Sequence, residues 1–166
     1  MELRVVDFDI LTRNFQPYVD GIMNIESEKR KMLNSIEPTK KEMQSIISRQ
    51  TSGIVLDETS QKRDAEKFRQ LQESLMKSDV EFKRKIKDMQ DDVNTLVYEK
   101  LAEIITEWSN ANSINLVTGK MEVIFNTPDM EVTDEILEII KQKGLFYVPE
   151  EPGVSGQILQ PQEPQI

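Results

Sequence analysis

The sequence predicts an α+β protein in which a long antiparallel helical hairpin, a coiled-coil arm, stands on a small β body formed by both chain ends. Residues 17–110 carry apolar side chains at helical spacing, with one short interruption near residues 51–58. Short runs with strand character lie on both sides of this stretch. We therefore expect a β-rich association body (residues 1–16 and 111–148), an arm (17–110) and a disordered tail (149–166).

The first helix of the arm is indicated by apolar residues spaced three, four and seven apart. They are Ile22, Ile25, Met32, Leu33, Ile36, Met43, Ile46 and Ile47. Pro17 suits a first helical turn. Pro38 lies inside the run, where it lacks an N–H and crowds the preceding turn. We expect a kink or local break around residues 35–38, which would be either a hinge or a passive bend.

The tip of the arm contains an apolar triplet, Ile54, Val55 and Leu56. The triplet either closes the two helix ends as a plug or forms an exposed adhesive tip. Asp57 or Thr59 can cap the second helix. That helix is predicted to reach about Asn110.

The second helix carries a near-heptad apolar stripe whose density rises towards its end. The stripe is formed by Phe68, Leu71, Leu75, Phe82, Ile86, Met89, Val93, Leu96 or Val97, Leu101, Ile104, Ile105 and Trp108. Ser78 and Lys100 interrupt it. An interrupted seam bends and opens more readily than a strict zipper, and its dense end must be buried in the body.

Short strands are predicted at both chain ends. Residues 3–9 begin with a β-type run, and residues 114–117 and 121–125 read as a hairpin around Thr118-Gly119-Lys120. Residues 145–148 could add an edge strand. So few short strands are unstable alone, so association between chains is expected.

One further helix is predicted near the C-terminal end of the body. Thr133 should cap it, with acidic residues in the first turn, and Gly144 should end it.

Composition excludes several classes of function. The chain has no cysteine and no histidine, which removes thiol and Ser-His nucleophiles and zinc sites of the Cys/His kind. We expect no enzyme activity and no cofactor. No apolar run approaches the roughly 18–20 residues of a membrane span, and residues at the start lack the pattern of a signal peptide.

The charge distribution argues against nucleic-acid binding. The chain has 21 basic and 30 acidic residues, a net charge of −9. The densest basic cluster is Lys83, Arg84, Lys85 and Lys87, and three acidic residues follow it directly, Asp88, Asp91 and Asp92. A nucleic-acid binder needs a basic face, whereas this pattern is typical of a solvated coiled-coil surface.

Two acidic residues after the first strand allow an enzymatic alternative. Asp7 and Asp9 follow Val5 and Val6 as Asp-x-Asp, which can hold Mg²⁺ or accept a phosphoryl group. Such enzymes need a parallel α/β sheet with further Lys and Asp motifs, which this chain lacks. We interpret the pair as a strand end and helix cap. Gly119-Lys120 likewise lacks the glycine-rich run of a P-loop.

The order of these elements resembles the Skp/OmpH family of chaperones over about residues 3–143. The resemblance is carried by Val5-Val6-Asp7, by Ile114-Asn115-Leu116-Val117, by Val123-Ile124-Phe125-Asn126 and by Glu131-Val132-Thr133-Asp134-Glu135-Ile136-Leu137 around a long charged hairpin. Each piece is common, and their order and spacing are the more specific signal.

The resemblance implies a homotrimer joined through its strands, with three arms that hold unfolded clients without ATP. The trimerisation candidates are Val5, Val6, Leu116, Val117, Val123 and Phe125. The client-binding candidates are Met23, Met32, Met43, Ile54, Val55, Leu56 and Met76. Flexible thioethers suit promiscuous apolar contact, although they would equally fill an irregular seam.

Clients of such a protein would be, for example, outer-membrane β-barrel proteins or viral structural proteins. The resemblance implies the periplasm if a signal has been removed, and the cytoplasm if Met1 is the native start. Family members are often basic, whereas this chain is acidic, so its range of clients is expected to differ.

A different class of function is a passive scaffold, for example a phage assembly component that binds one specific partner. A scaffold seam should be regular and fully occupied. Because Ser78, Lys100 and Pro38 interrupt this seam, the sequence favours the chaperone.

Overall fold

A computed structural model describes residues 2–53 and 57–149 of the 166-residue chain. The predicted features at residues 54–56 and 150–166 lie outside the described residues. The elements in chain order are β1 (Leu3–Val6), α1 (Phe8–Arg13), α2 (Gln16–Thr51), α3 (Glu58–Ala111), β2 (Leu116–Gly119) and α4 (Thr133–Gln142), with single-turn 3₁₀ helices at Lys120–Glu122 and Pro128–Met130. The fold is mostly helical, with a small sheet formed by the two ends.

Helices α2 and α3 pack along each other, and their contacts run in opposite sequence order. Ion pairs join them at three levels: Arg49–Asp64 at 2.9 Å, Lys67–Glu42 at 3.2 Å and Lys85–Glu28. Further down, Gly21 lies directly against Val93. The end of α2 therefore lies beside the start of α3. With 54 residues, α3 is roughly 80 Å long.

The interface between α2 and α3 is narrow. In α2 only Ile25, Met32 and Ile46 are buried. The facing side chains of α3 are half-buried: Phe68, Leu71, Leu75, Phe82, Ile86, Met89 and Val93. These are the stripe positions that the heptad-like spacing predicted, and one row on each helix is what such a pattern buries.

Helix α2 is continuous from Gln16 to Thr51, so the predicted break around Pro38 is wrong. Pro38 is exposed, and one missing N–H does not end a helix that α3 supports along most of its length. Ser35 lies one turn before the proline, and its hydroxyl donates to the carbonyl of Met32 at 2.7 Å. A bend at Pro38 stays a prediction. Pro17 lies in the first turn, as predicted.

Both ends of α3 follow local sequence signals. Asp57 caps the helix, and its carboxylate accepts from the backbone N–H of Ser60 at 2.9 Å and from the Ser60 hydroxyl at 2.8 Å. These bonds, the backbone one first, lower the pKa of Asp57. The helix ends at Ala111, and Ser113 adopts a left-handed φ of 57°. The predicted cap and end are both confirmed.

The sheet is parallel and joins the two ends of the chain. Leu3 pairs with Leu116 and Val6 with Gly119. The predicted hairpin of residues 114–117 with 121–125 is therefore wrong. Gly119 has an extended φ of −71° and continues the strand instead of reversing the chain. Residues 121–125 begin in a 3₁₀ turn and have no strand partner within the described chain.

The core of the body lies where the C-terminal end of α3 packs against α1, α4 and β1. Its buried members are Val6, Leu11, Phe15, Val97, Leu101, Ile104, Ile105, Val132, Ile136 and Ile140. The expectation that the apolar end of α3 is buried in the body is confirmed for most of its positions, although Leu96 is 45% exposed. Helices supply most of this core, so the body has less β-structure than the sequence predicted.

Helix α4 begins without the predicted threonine cap. Its N-cap is Val132, and no side chain caps it. Thr133 is buried instead, and its hydroxyl accepts from the backbone N–H of Asp7 at 2.9 Å. A polar group that loses water in a core needs such a partner. The residue therefore ties α4 to the junction between β1 and α1.

The end of α4 follows the sequence signal. Gly144 has a φ of +70°, and the N–H of Leu145 donates to the carbonyl of Ile140 at 2.9 Å, which is the pattern of a glycine-terminated helix. The predicted edge strand at 145–148 is wrong. Only Phe146 forms a bridge, to Phe15.

Candidate functional site

Met32 and Phe82 lie at the interface between α2 and α3. At this level the two sides of the helix pair differ. On one side an apolar groove of about 380 Å³ opens between α2 and α3. It is lined by Lys29, Met32, Leu33, Phe82, Lys83, Ile86, Lys87 and Gln90. We call this surface the apolar groove. Its lining includes cations and an amide but no carboxylate.

The other side of the helix pair is charged. It is lined by Glu28, Lys31, Met32, Ser35, Glu81, Phe82 and Lys85. Glu28 accepts from both Lys85 and Lys31, and the hydrogen bond from Lys85 is the main reason that the pKa of Glu28 is lowered. The two sides thus offer different surfaces to a partner.

Large apolar side chains are exposed on and beside the apolar groove. Leu33 is 58% exposed, Met76 66% and Val80 68%. Successive spacings of four, three and four residues separate Met76, Val80, Lys83 and Lys87, so all four share one stripe of α3. The side chains of Leu33, Met76 and Val80 lie largely outside the interface between α2 and α3. They make this side of the arm suitable for apolar contact.

The predicted client-binding residues are divided by the structure. Met23 and Met76 are exposed. Met32 is buried in the seam and forms the floor of the groove, and Met43 is half-buried. Ile54, Val55 and Leu56 lie outside the described residues. A client-binding role for any of these residues stays a prediction.

Sequence reasoning missed Leu33 and Val80 as candidate binding residues. The apolar spacing predicts that both Leu33 and its neighbour Met32 lie in the seam. Only one of two adjacent positions can face α3, because successive helical residues differ by about 100°. An apolar residue directly beside a seam position, as Leu33 is beside Met32, was the signal in the sequence that could have identified an exposed apolar side chain.

The body exposes a second apolar surface. Met121 is 93% exposed, Ile124 is fully exposed and Phe125 is 79% exposed. Among the predicted trimerisation residues, Val5 and Val6 are fully buried within the chain, Val117 and Val123 are half-buried, and Leu116 and Phe125 are exposed. Their role in association stays a prediction.

Asp7 serves as a helix cap. Its carboxylate accepts from the backbone N–H of Ile10 at 3.1 Å at the start of α1. Within residues 2–53 and 57–149, no group of three acidic side chains is placed to hold a metal ion. In the same part of the chain, no helix is long and apolar enough to cross a bilayer.

Each cation in the basic cluster of α3 forms an ion pair with a carboxylate. Lys83 pairs with Asp79, Arg84 with Asp88, Lys85 with Glu28 and Lys87 with Asp91. The hydrogen bond to Asp91 raises the pKa of Lys87. This arrangement agrees with a solvated helix surface, as the charge pattern indicated.

Comparison with protein families decides the kinship of the chain. The family model described as outer membrane protein (OmpH-like) matches residues 3–140, most of the sequence. The chain belongs to the OmpH-like family. The resemblance drawn from the strand and helix order is thereby confirmed, including its extent to within a few residues. A search of curated proteins found no match.

The OmpH-like family is a family of chaperones and not of enzymes. The long helices with coiled-coil character and the small sheet at their base are consistent with the OmpH-like fold. The exposed apolar side chains of the arm and body are candidates for contact with client proteins.

Proposed function

We propose that this OmpH-like protein is an ATP-independent holdase whose antiparallel helical arms bind unfolded or assembling clients between the members of a homotrimer. The observation that carries the proposal is the exposure of Leu33, Met76 and Val80 on one side of the arm. Exposed apolar side chains at mid-arm cost solubility and add nothing to the seam, so a binding role accounts for them.

The body supports the trimer in this proposal. Met121, Ile124 and Phe125 are highly exposed and lie close together in sequence. Among residues 2–53 and 57–149, the sheet has two strands of four residues each, and β2 pairs with β1 alone. A short sheet with a free edge beside an exposed apolar segment is completed by pairing with further copies.

The arm supports promiscuous binding. Met76 and Met23 offer flexible, polarizable side chains that adapt to different apolar partners. Because α2 buries only three apolar residues against α3, the arm can adjust without losing a large core. We propose unfolded β-rich proteins as clients, for example outer-membrane β-barrel or viral structural proteins.

Two measurements test this proposal. Light scattering coupled to size exclusion should give three times the 19.3 kDa chain mass. The protein should also suppress aggregation of a urea-unfolded outer-membrane β-barrel protein on dilution, without nucleotide. A monomer that leaves the client's aggregation unchanged would rule out the proposal.

A variant pair localises the activity to the arm. The triple change Leu33→Gln, Met76→Gln and Val80→Gln should weaken suppression of aggregation. The matched triple Lys40→Gln, Lys41→Gln and Lys62→Gln changes exposed arm residues outside the apolar groove and should not. Equal activity of both triples would contradict a binding role for the apolar side chains.

One observation favours the scaffold as a second candidate. Three ion pairs cross between α2 and α3 along the arm, at Arg49–Asp64, Lys67–Glu42 and Lys85–Glu28, and they favour a defined spacing of the helices. A scaffold would leave aggregation of several unrelated clients unaffected, whereas a holdase suppresses more than one of them.

A further inference from the structure

The apolar groove combines features that a general apolar surface lacks. Its volume of about 380 Å³ lies within the range of about 300–1,000 Å³ that is usual for ligand clefts. The floor is formed by Met32, Phe82 and Ile86, and Leu33 forms an exposed wall. A large apolar side chain can therefore be partly desolvated there.

The polar side chains that line the groove are three lysines and one amide. Lys29, Lys83 and Lys87 project along its length, together with Gln90. Each lysine also has a carboxylate partner one turn away on its own helix: Glu26 at 2.7 Å, Asp79 at 2.7 Å and Asp91 at 2.6 Å. None of these carboxylates lines the groove.

The lysines remain available to a partner. Exposed ion pairs between residues three or four apart contribute only about 0–1 kcal/mol, so an incoming carboxylate can compete with Glu26, Asp79 or Asp91. Lysine stems are long enough to pack over apolar surface while the ammonium group stays at the rim. This places a positive charge beside whatever occupies the floor.

Building on the proposed holdase function, we propose that the apolar groove is a discrete recognition site for client segments in which a large apolar side chain is flanked by Asp or Glu. The apolar side chain occupies the floor between Met32 and Phe82, and the flanking carboxylates meet Lys29, Lys83 and Lys87. The site thus selects acidic apolar segments although the chain as a whole has a net charge of −9.

The test measures peptide binding to the full-length protein by fluorescence anisotropy. Three labelled 12-residue peptides share a Gly/Ser background and differ in a central Glu-Leu-Phe-Glu, Lys-Leu-Phe-Lys or Glu-Ser-Ser-Glu. The first should bind several-fold more tightly than the other two. Its advantage over the lysine-flanked peptide should shrink as salt rises from 20 mM to 500 mM, because exposed charges are then screened.

Matched variants assign the binding to this groove. Lys83 and Lys62 are both 77% exposed, and each pairs at 2.7 Å with a carboxylate four residues before it. Lys83→Gln should reduce affinity for the Glu-Leu-Phe-Glu peptide by about two- to five-fold, the range of one exposed charge pair. Lys62→Gln, which lies outside the groove, should leave it unchanged. Leu33→Gln should weaken the peptides that contain Leu-Phe.

The outcomes separate this inference from the holdase proposal. If Lys83→Gln and Lys62→Gln behave alike, or the two Leu-Phe peptides bind equally, the recognition site is refuted even when client aggregation is suppressed. If a fatty acid such as oleate binds and no peptide does, the inference is also refuted. If the unmodified protein fails to suppress client aggregation, the holdase function is refuted instead. Far-UV circular dichroism of each variant confirms that the arm is folded.

Discussion

The body and the arm of this chain are stabilised in different ways. The body buries side chains from four elements completely, including Val6, Leu11, Leu101 and Ile136. The arm buries a single row on α2 against half-buried partners on α3, and it is crossed by ion pairs at its surface, such as Lys67–Glu42, whose side chains are 47% and 50% exposed. Because burial supplies most of the free energy of folding, the body should determine stability while the arm stays adaptable.

The largest expected effect tests this difference directly. Leu101→Ala removes a fully buried side chain from the body and should lower the free energy of unfolding by about 2–5 kcal/mol. Leu75→Ala removes a half-buried side chain from the arm and should cost about 1–2 kcal/mol. Urea unfolding at one fixed protein concentration gives both values, and equal losses would contradict the comparison.

The next prediction concerns the polar link within the body. Thr133→Val keeps the shape of the side chain but leaves the backbone N–H of Asp7 without its acceptor. Because this hydrogen bond is partly buried, the unsatisfied donor should cost about 1 kcal/mol of unfolding free energy, near the lower end of the range for buried donors. Thr133→Ser keeps the hydroxyl and should retain most of that stability. If the Thr133→Val variant is as stable as the Thr133→Ser variant, the hydrogen bond does not contribute to the free energy of unfolding.

Near the body, α2 and α3 approach each other closely at Gly21 and Val93, and the stability of this part of the arm should depend on that contact. A Cβ at Gly21 would lie 2.6 Å from Cγ2 of Val93, so Gly21→Ala should cause overpacking worth about 1–3 kcal/mol. The better helix propensity of alanine offsets up to about 1 kcal/mol of this. The double variant Gly21→Ala, Val93→Ala should relieve the clash. Thermal unfolding of the two variants provides the comparison, and a single variant more stable than the double would exclude the clash.

The smallest expected effect is the pH dependence of the arm. The hydrogen bond from Lys85 lowers the pKa of Glu28 below its ordinary 4.5, with a further contribution from Lys31. The stabilisation by this carboxylate is therefore complete above pH 4.5 and is lost as pH falls through the lowered folded-state value. Acidification should destabilise the unmodified protein more than the Glu28→Gln variant.

Melting temperatures measured between pH 6 and pH 3 test this effect. Glu58→Gln is the matched control, because Glu58 forms an ion pair within α3, with Lys62, and does not bridge the helices. The Glu58→Gln variant should follow the pH dependence of the unmodified protein. If Glu28→Gln does so too, the pair of Glu28 and Lys85 does not stabilise the arm.

The helices were predictable from the sequence because their signals are local. Asp57 caps α3 and Gly144 ends α4, as the residue types indicated. The seam positions followed from spacing, since one buried stripe repeats every three or four residues. The candidate site was harder to predict. Met32 and Leu33 are equally apolar neighbours, and only the packing of α3 decides which of them remains exposed.

Residue spacing and the order of the elements were enough to predict the long helix pair, its apolar stripe and its kinship with the OmpH-like family, because these signals lie within single segments. Three features could be seen only once the chain was folded: β1 pairs with β2 in parallel, Thr133 accepts from Asp7 and does not cap α4, and one side of the arm is apolar while the other is charged. These features depend on which distant segments meet, and residue patterns within one segment carry no information about that choice.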